Sequence, residues 1–265
     1  MRMMSIASGS SGNCIYIGTD NTHILIDDGV SKKKVLEGLS KLELTLSDID
    51  AIFVTHEHDD HIGGLGVLER QCSIPLYGTR KTLERISRST KLGPIPDDIY
   101  RPFIAGDSIQ IKDINIKSTS VSHDAKDPVA YVLSDTNKKA GIITDLGFYD
   151  DKIVENFSGL NCVLMEANHD INMLLTGPYP YALKQRILGA KGHLSNEDCG
   201  RLLGRILNDD MEHIILGHLS KENNFPELAY ETVRLEVDLG DNDYKSKDFN
   251  IEVAKRDTPS EIIKI

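Results

Sequence analysis

Nowhere does the chain have an apolar stretch approaching the roughly 20 residues that a helix needs to span a bilayer. Nor is it rich in cysteine. Its four, Cys14, Cys72, Cys162 and Cys199, lie far apart with no C-x-x-C. That pattern excludes a thiolate zinc knuckle and speaks against a disulfide framework, so reduced thiols of a cytoplasmic protein are the expectation. The opening segment, residues 1–13, has too short an apolar run for a secretory signal. There is no short-period repeat and no low-complexity linker. An excess of basic residues is also missing: 30 Lys and Arg face 41 Asp and Glu, a net charge of -11. Bulk electrostatics would not draw such a protein to nucleic acid.

Core material, by contrast, is ample. Hydrophobic residues make up 40% of 265 positions and the mean hydropathy is -0.26. That length fits one large domain or two small ones and does not decide between them; a globular chain with a sizeable core is expected, and the reading taken is a single domain over residues 1–265. Charge is uneven along it. Between Glu69 and Lys91, six basic residues (Arg70, Arg80, Lys81, Arg85, Arg88, Lys91) face two acids, and Lys184, Arg186 and Lys191 form a second basic stretch. Each is either a solvated helix face or a surface for an anion.

Short β-prone runs, "MMSIA", "CIYIG" and "HILIDD", separated by turn residues, open the chain. A helix is predicted over 31–41 with Ser31 as N-cap, then a buried strand "AIFVT" and helices over 64–72 and 79–90. A β-rich block follows, with a hairpin signal at Thr136–Lys139, then helices over 150–157, 179–188, 195–208 and 226–235 around the strands "NCVLMEA" and "HIILGH". Ser195 and Asp198 have capping-box spacing. Tight early hairpins favour antiparallel pairs, hence two face-to-face sheets with helices outside both, over a doubly wound parallel sheet.

The ionisable groups are concentrated where these apolar runs end. His56, His58, Asp60 and His61 follow "AIFVT"; His123 follows "STSVS"; Asp145 follows "AGIIT"; His218 follows "HIILG". Strand ends on one edge aim their loops at a common cleft. In extended chain, residues two apart face the same way, so His56 and His58 can share one ion while Asp60 and His61, past a turn, reach a second. A helical H-E-x-x-H motif is excluded because position 60 is Asp. Imidazole and carboxylate donors without thiolate suit zinc or manganese, with iron possible. Seven ligands exceed one tetrahedral ion, and Asp145 is the natural bridge between two.

"THEHDDH" (residues 55–61) resembles the H-x-H-x-D-H signature of metallo-β-lactamase-fold hydrolases, and His123, Asp145 and His218 follow in that superfamily's order. "ILIDDG" resembles its early Asp motif. "ASGSSGNC" and "GHLSKENN" are similar to the YycJ/WalJ-like branch, and "GHLSNEDCG" to the late motifs of the tRNA 3′-processing branch. The resemblance runs from about Ser5 to Asn224 and implies an α/β fold, the αββα four-layer sandwich. It implies one divalent ion on His56, His58, His123 and Asp145, a second on Asp60, His61, Asp145 and His218, and Asp27 orienting the histidine loop. The branch implies a DNA exonuclease acting from the 5′ end, with RNA as an alternative substrate. The long inserted domain of the RNA-cleaving and crosslink-repair relatives has no room here.

Such a site would use a metal-bridging hydroxide, oriented by Asp60, on a phosphodiester. His193, just before a predicted helix start and matching the tRNA-processing motif, is the candidate acid or phosphate contact; a helix-capping surface histidine is the competing reading. His169 is a weaker candidate, and His23 and His213 need no role beyond structure. "SGSSGN" (8–13) reads as a tight turn more readily than as a phosphate loop, since it lacks the Lys-Ser/Thr ending. Ser220, Lys221 and Asn223 are candidate substrate contacts. A small-molecule hydrolase for a thioester, lactone or cyclic phosphodiester is the alternative that the acidic charge favours, and a non-catalytic regulator is a third.

Overall fold

The β-prone runs fall into two sheets of seven strands each in the computed structural model, which describes residues 1–265. In chain order the strands are β1 (Arg2–Ala7), β2 (Cys14–Gly18), β3 (His23–Ile26), β4 (Ala51–Phe53), β5 (Leu76–Thr79), β6 (Tyr100–Phe103), β7 (Ser108–Ile111), β8 (Ile114–Ser120), β9 (Val129–Ser134), β10 (Lys139–Ile143), β11 (Cys162–Glu166), β12 (His213–Gly217), β13 (Asn250–Val253) and β14 (Ile263–Lys264). The helices are α1 (Lys32–Lys41), α2 (Asp59–Ile62), α3 (Leu65–Cys72), α4 (Arg80–Ser87), α5 (Asp151–Asn156), α6 (Ile171–Thr176), α7 (Tyr181–Leu188), α8 (Asn196–Ile206) and α9 (Pro226–Leu239).

One sheet has the order β14-β1-β2-β3-β4-β5-β6, the other β13-β12-β11-β10-β9-β8-β7. Tight turns make β1, β2 and β3 antiparallel neighbours, as the early hairpins predict. From β3 to β6 the pairing is parallel, because helices carry each crossover. The second sheet repeats this plan, with antiparallel β7 to β10 and then parallel β10 to β13. β5 and β6 escape the sequence reading. Each is four residues long, and Gly78 and Pro102 interrupt their β character. Pro102 is tolerated because β6 is an edge strand.

The side a residue faces follows the two-residue alternation of each strand. On β2, Cys14 and Tyr16 pack outward with Val35 and Leu39 of α1, Leu65 and Leu68 of α3, and Leu83 and Ile86 of α4. Ile15 and Ile17 point inward, against Ile116, Tyr131, Ile142 and Leu164 of the opposite sheet. The outer face of that second sheet, including Val163, Met165 and Ile214, is covered by Phe157, Leu202, Leu203 and Val233. Helix, sheet, sheet and helix are thus the four layers. Strands covered on both faces read as unbroken apolar runs, which is why residues 14–18 and 162–166 are buried throughout.

Candidate functional site

Six strands deliver polar side chains to one edge between the sheets. β3 and β4 run parallel, and so do β10, β11 and β12. β8 joins them because both it and β10 are antiparallel to β9. Their carboxyl ends therefore open together, the position where parallel sheets place ligands. Three of the strands stop on a left-handed residue that is not glycine: Asp27 (φ 62°), Asp145 (φ 57°) and His218 (φ 55°). Each such residue costs on the order of 1–3 kcal/mol and persists only where its surroundings hold it.

The histidine loop leaves β4 extended to His58 and then makes a single helical turn, α2, over Asp59–Ile62. The turn expected after His58 is thus helical, and it carries Asp60 and His61 themselves. Backbone bonds clamp this turn: Asn13 N donates to Asp60 O (2.8 Å) and Asp28 N to His61 O (2.9 Å). A Cβ at Gly29 would meet the Asp60 carbonyl oxygen at 1.7 Å, so only glycine allows this approach.

All seven residues of the expected ligand set meet here. Ligand atoms of His56, His58 and His123 lie within 4.8 Å of one another, as do those of His56, His61 and Asp145, and those of Asp60, His61 and His218. His58 Nδ1 is 2.9 Å from His56 Nε2 and 3.2 Å from His123 Nε2. Asp145 reaches His61 Nε2 at 3.0 Å, His123 Nε2 at 3.6 Å and His218 Nε2 at 3.7 Å, and so joins both groups.

Carboxylates and carbonyls behind the histidines set their tautomers. His61 Nδ1 donates to Asp27 Oδ2 (2.7 Å), whose carboxylate also accepts from Thr55 N and Oγ1 (2.8 Å each). His123 Nδ1 donates to Gly192 O (3.0 Å) and His218 Nδ1 to Glu166 Oε1 (2.8 Å). Each leaves Nε2 facing the cleft. The same Glu166 oxygen is 2.7 Å from His193 Nδ1, and Oε2 accepts from the backbone of Leu146 (2.9 Å) and Leu194 (3.2 Å). Glu166 is absent from the sequence reading, although as the last residue of β11 it obeys the same strand-end rule as the others.

The charges are unbalanced without a cation. Burial pushes His56 well below the usual imidazole range and lowers His123. Burial would do the same to His218, but Asp145, Asp60 and Glu166 outweigh it and raise it to about 10. His61 is likewise raised, by Asp145, Asp60 and Asp27 against its burial. Protons on His61 and His218 stand where a divalent ion would neutralise the aspartates. Asp145 Oδ2, buried, receives no aligned hydrogen bond. Three imidazole nitrogens converging on each other, a buried carboxylate oxygen with no aligned donor although His61 Nε2 is 3.0 Å away, and a donor set without sulfur fit divalent metal ions.

Above these groups lies a cleft of about 410 Å³ lined by Ser10, Glu57, His58, Asp59, Asp60, Asp145, Arg186, His193 and His218, none of them hydrophobic. A larger cavity, about 640 Å³, opens at the opposite strand ends around Arg2, Asp113 and Asp135 and contains no histidine. Arg186 is held by Asp124 (Nη2 to Oδ1, 3.0 Å), and that same Oδ1 is 3.4 Å from His123 Nε2. Arg186, from the second basic stretch, thus lines the cleft, and the Asp124 that holds it was not foreseen.

The remaining candidates separate. His193 lines the cleft rather than capping α8, whose N-cap is Ser195. Its imidazole is raised by Glu166 despite burial. His169 is buried with both ring nitrogens unpartnered and does not line the cleft; burial lowers it to about 4. His23 bonds Tyr16 Oη (2.8 Å) and His213 Nδ1 contacts Asn250 (3.0 Å), both at the far strand ends. The 8–13 segment is a tight turn closed by Gly12 N to Gly9 O (3.0 Å), and of it only Ser10 lines the cleft. Ser220 and Asn223 are buried, with Asn223 N donating to Ser220 Oγ (3.2 Å), so they secure their own loop instead of facing a substrate. Lys221 is exposed and outside the cleft.

Residues 22–218 match a family model described as the beta-lactamase superfamily domain. The chain is 41% identical over 228 residues to exodeoxyribonuclease YycJ of Bacillus anthracis, covering 86% of each chain. It is 41% identical over 266 residues to exodeoxyribonuclease WalJ of Streptococcus pneumoniae, covering 98% of this chain and 96% of that one. Among solved structures, Zn(2+)-bound PqqB of Methylobacterium extorquens aligns over 100% of both chains with a TM-score of 0.73 at 13% identity, a likeness of fold.

Proposed function

Because this chain belongs to the beta-lactamase superfamily, in the branch that holds the YycJ and WalJ exodeoxyribonucleases, we propose that it is a metal-dependent exodeoxyribonuclease that digests DNA from the 5′ end. One observation carries the reading: donor groups that share Asp145 sit on the floor of a cleft lined by no hydrophobic residue. Such walls suit a charged phosphodiester and offer nothing to the apolar part of a thioester or lactone.

His56, His58, His123 and Asp145 would hold one ion; Asp60, His61, Asp145 and His218 would hold the second. Zinc or manganese suits both sets, and iron is compatible. Bound divalent ions supply Lewis acidity and water acidic enough to lose its proton near neutral pH. Asp60, a quarter exposed, is the carboxylate that orients the attacking water. As the water oxygen bonds to phosphorus, the bond from phosphorus to the departing sugar oxygen breaks. His193 gives that oxygen a proton from Nε2, because its Nδ1 is engaged by Glu166. Arg186 adds fixed positive charge at the cleft wall. That both sheets contribute candidate ligands supports reading residues 1–265 as one domain. The chain has no helix long and apolar enough to cross a membrane. All four cysteines are free and three are buried, which supports a reducing, cytoplasmic setting.

The test is digestion of DNA and RNA labelled at either end, with manganese or zinc added and a thioester assayed alongside. Release of label from 5′-labelled DNA by the parent, and none by Asp145→Ala, is expected. Equal rates for the two proteins on DNA would sink the metal mechanism.

A further inference from the structure

A second groove, of about 260 Å³, adjoins the catalytic cleft and shares Glu57 and Asp59 with it as a common rim. Its other lining residues are Ile62, Arg85, Arg88, Ser89, Thr90 and Lys91. This is part of the basic stretch that the sequence left unassigned.

A solvated helix face would account for basic residues on α4, but the side-chain arrangement argues otherwise. α4 buries Thr82, Leu83 and Ile86. Glu84 of this helix lies with Arg80 in a separate groove beside Asp97 and Tyr100, while Arg85 and the C-cap residue Arg88 enter the groove beside the cleft. Glu84 and Arg88 have the i, i+4 spacing that pairs charges on an ordinary exposed helix. They do not pair, and neither Arg85 nor Arg88 has a carboxylate partner within 4.0 Å. Of the groove's acids, Asp59 is paired with Lys91, while Glu57 accepts only the backbone amide of Lys126 at Oε1 (2.9 Å) and keeps its charge on the rim shared with the cleft; Arg85, Arg88 and Lys91 outnumber these two acids. Two unpaired guanidinium groups, spaced i and i+3 on one helix side, therefore face a channel that continues from the cleft. Guanidinium matches phosphate in shape and charge. On a chain of net charge -11, this segregation supplies locally the attraction that the whole molecule lacks.

We infer that this groove carries the sugar–phosphate backbone of the bound DNA strand away from the catalytic cleft, with Arg85 and Arg88 each pairing with a phosphate. The inference rests on the nuclease reading of the cleft and assigns that site its polynucleotide track.

The test compares the metal-loaded parent, Arg85→Ala/Arg88→Ala and Arg80→Ala on oligonucleotide DNA over a range of salt. Bis(p-nitrophenyl) phosphate, too short to reach the groove, reports on the cleft alone. Loss of two phosphate contacts should make the slope of log kcat/KM against log salt shallower by about 1.4 on single strands or about 1.8 on duplex. At low salt, kcat/KM on DNA should fall at least about tenfold, through KM, while Arg80→Ala and hydrolysis of the small diester follow the parent. An unchanged slope overturns the inference. A parallel fall on the small diester also overturns it, since the arginines would then act on the cleft itself. A parent that cuts the small diester but no DNA removes the nuclease reading and this one with it, a result distinct from an unchanged slope in an active nuclease.

Discussion

The carboxylate of Glu166 accepts a hydrogen bond from Nδ1 of His218 at 2.8 Å. Its same oxygen, Oε1, takes Nδ1 of His193 at 2.7 Å, so one buried side chain orients a candidate metal ligand and a candidate proton donor together. Asp27 does the equivalent for His61 from the other sheet. Each sheet thus has its own acid behind the cleft.

Replacing either acid should separate positioning from ligation. Asp27→Asn and Glu166→Gln keep the side-chain volume but remove the negative charge and turn one accepting oxygen into an NH2 donor, which weakens the hold on the imidazoles. Metal affinity is expected to drop roughly 10- to 100-fold in each, measured by titration against a competing chelator. A wild-type affinity in both variants would remove the orienting role.

His193 should matter in proportion to the leaving group. His193→Ala is expected to slow DNA cleavage by about 10²–10⁴-fold. Hydrolysis of bis(p-nitrophenyl) phosphate, whose leaving group departs without a proton, should be nearly unaffected. Equal losses on both substrates would assign His193 to binding rather than to proton donation.

Metal removal should lower stability by linkage. Ion at a hundredfold excess over its dissociation constant stabilises by about 2.7 kcal/mol, which for a chain of this size corresponds to roughly 5–10 °C in Tm. Calorimetry of chelated and reloaded protein checks this. Reloading near neutral pH should also release protons, since His61 and His218 are raised above the ordinary imidazole range in the metal-free protein. A pH indicator that registers no release would contradict it.

The acid limb of stability should change when Glu166 is replaced. Burial alone would raise this carboxyl, but the charges of His193 and His218 and their hydrogen bonds lower it from 4.5 to about 2. A depressed carboxylate contributes stability above its unfolded value, and that contribution is lost as pH falls towards about 2. The metal-free Glu166→Gln protein should therefore lose stability less steeply in that window, by up to about 1.4 kcal/mol per pH unit. Denaturation at a series of pH values would read this out, and parallel curves would refute it.

Gly29→Ala should spoil the site without touching a ligand. The new Cβ would lie 1.7 Å from the Asp60 carbonyl oxygen, so α2 must move. A cost of roughly 1–3 kcal/mol and loss of bound metal are expected, from thermal denaturation and metal analysis. Full metal content would show that α2 accommodates the methyl group.

The candidate ligands and the layer plan were legible in the sequence, because both are written in short-range patterns. Alternating apolar residues make each strand, a metal-competent side chain ends it, and strands of one direction bring those ends to a common edge. Hence His56, His58, Asp60, His61, His123, Asp145 and His218 could be named one after another. What stands behind and beside them depends on contacts between segments far apart in the chain. Glu166 closes the buried run 162–166 and looks there like any strand-end acid; its partners are 27 and 52 positions away. Ser220 and Asn223 sit in a motif that suggests contact with substrate, yet packing turns them inward. The separation of Glu84 from Arg85 and Arg88 depends on which grooves flank α4, and local sequence carries no information about the neighbours that form those grooves.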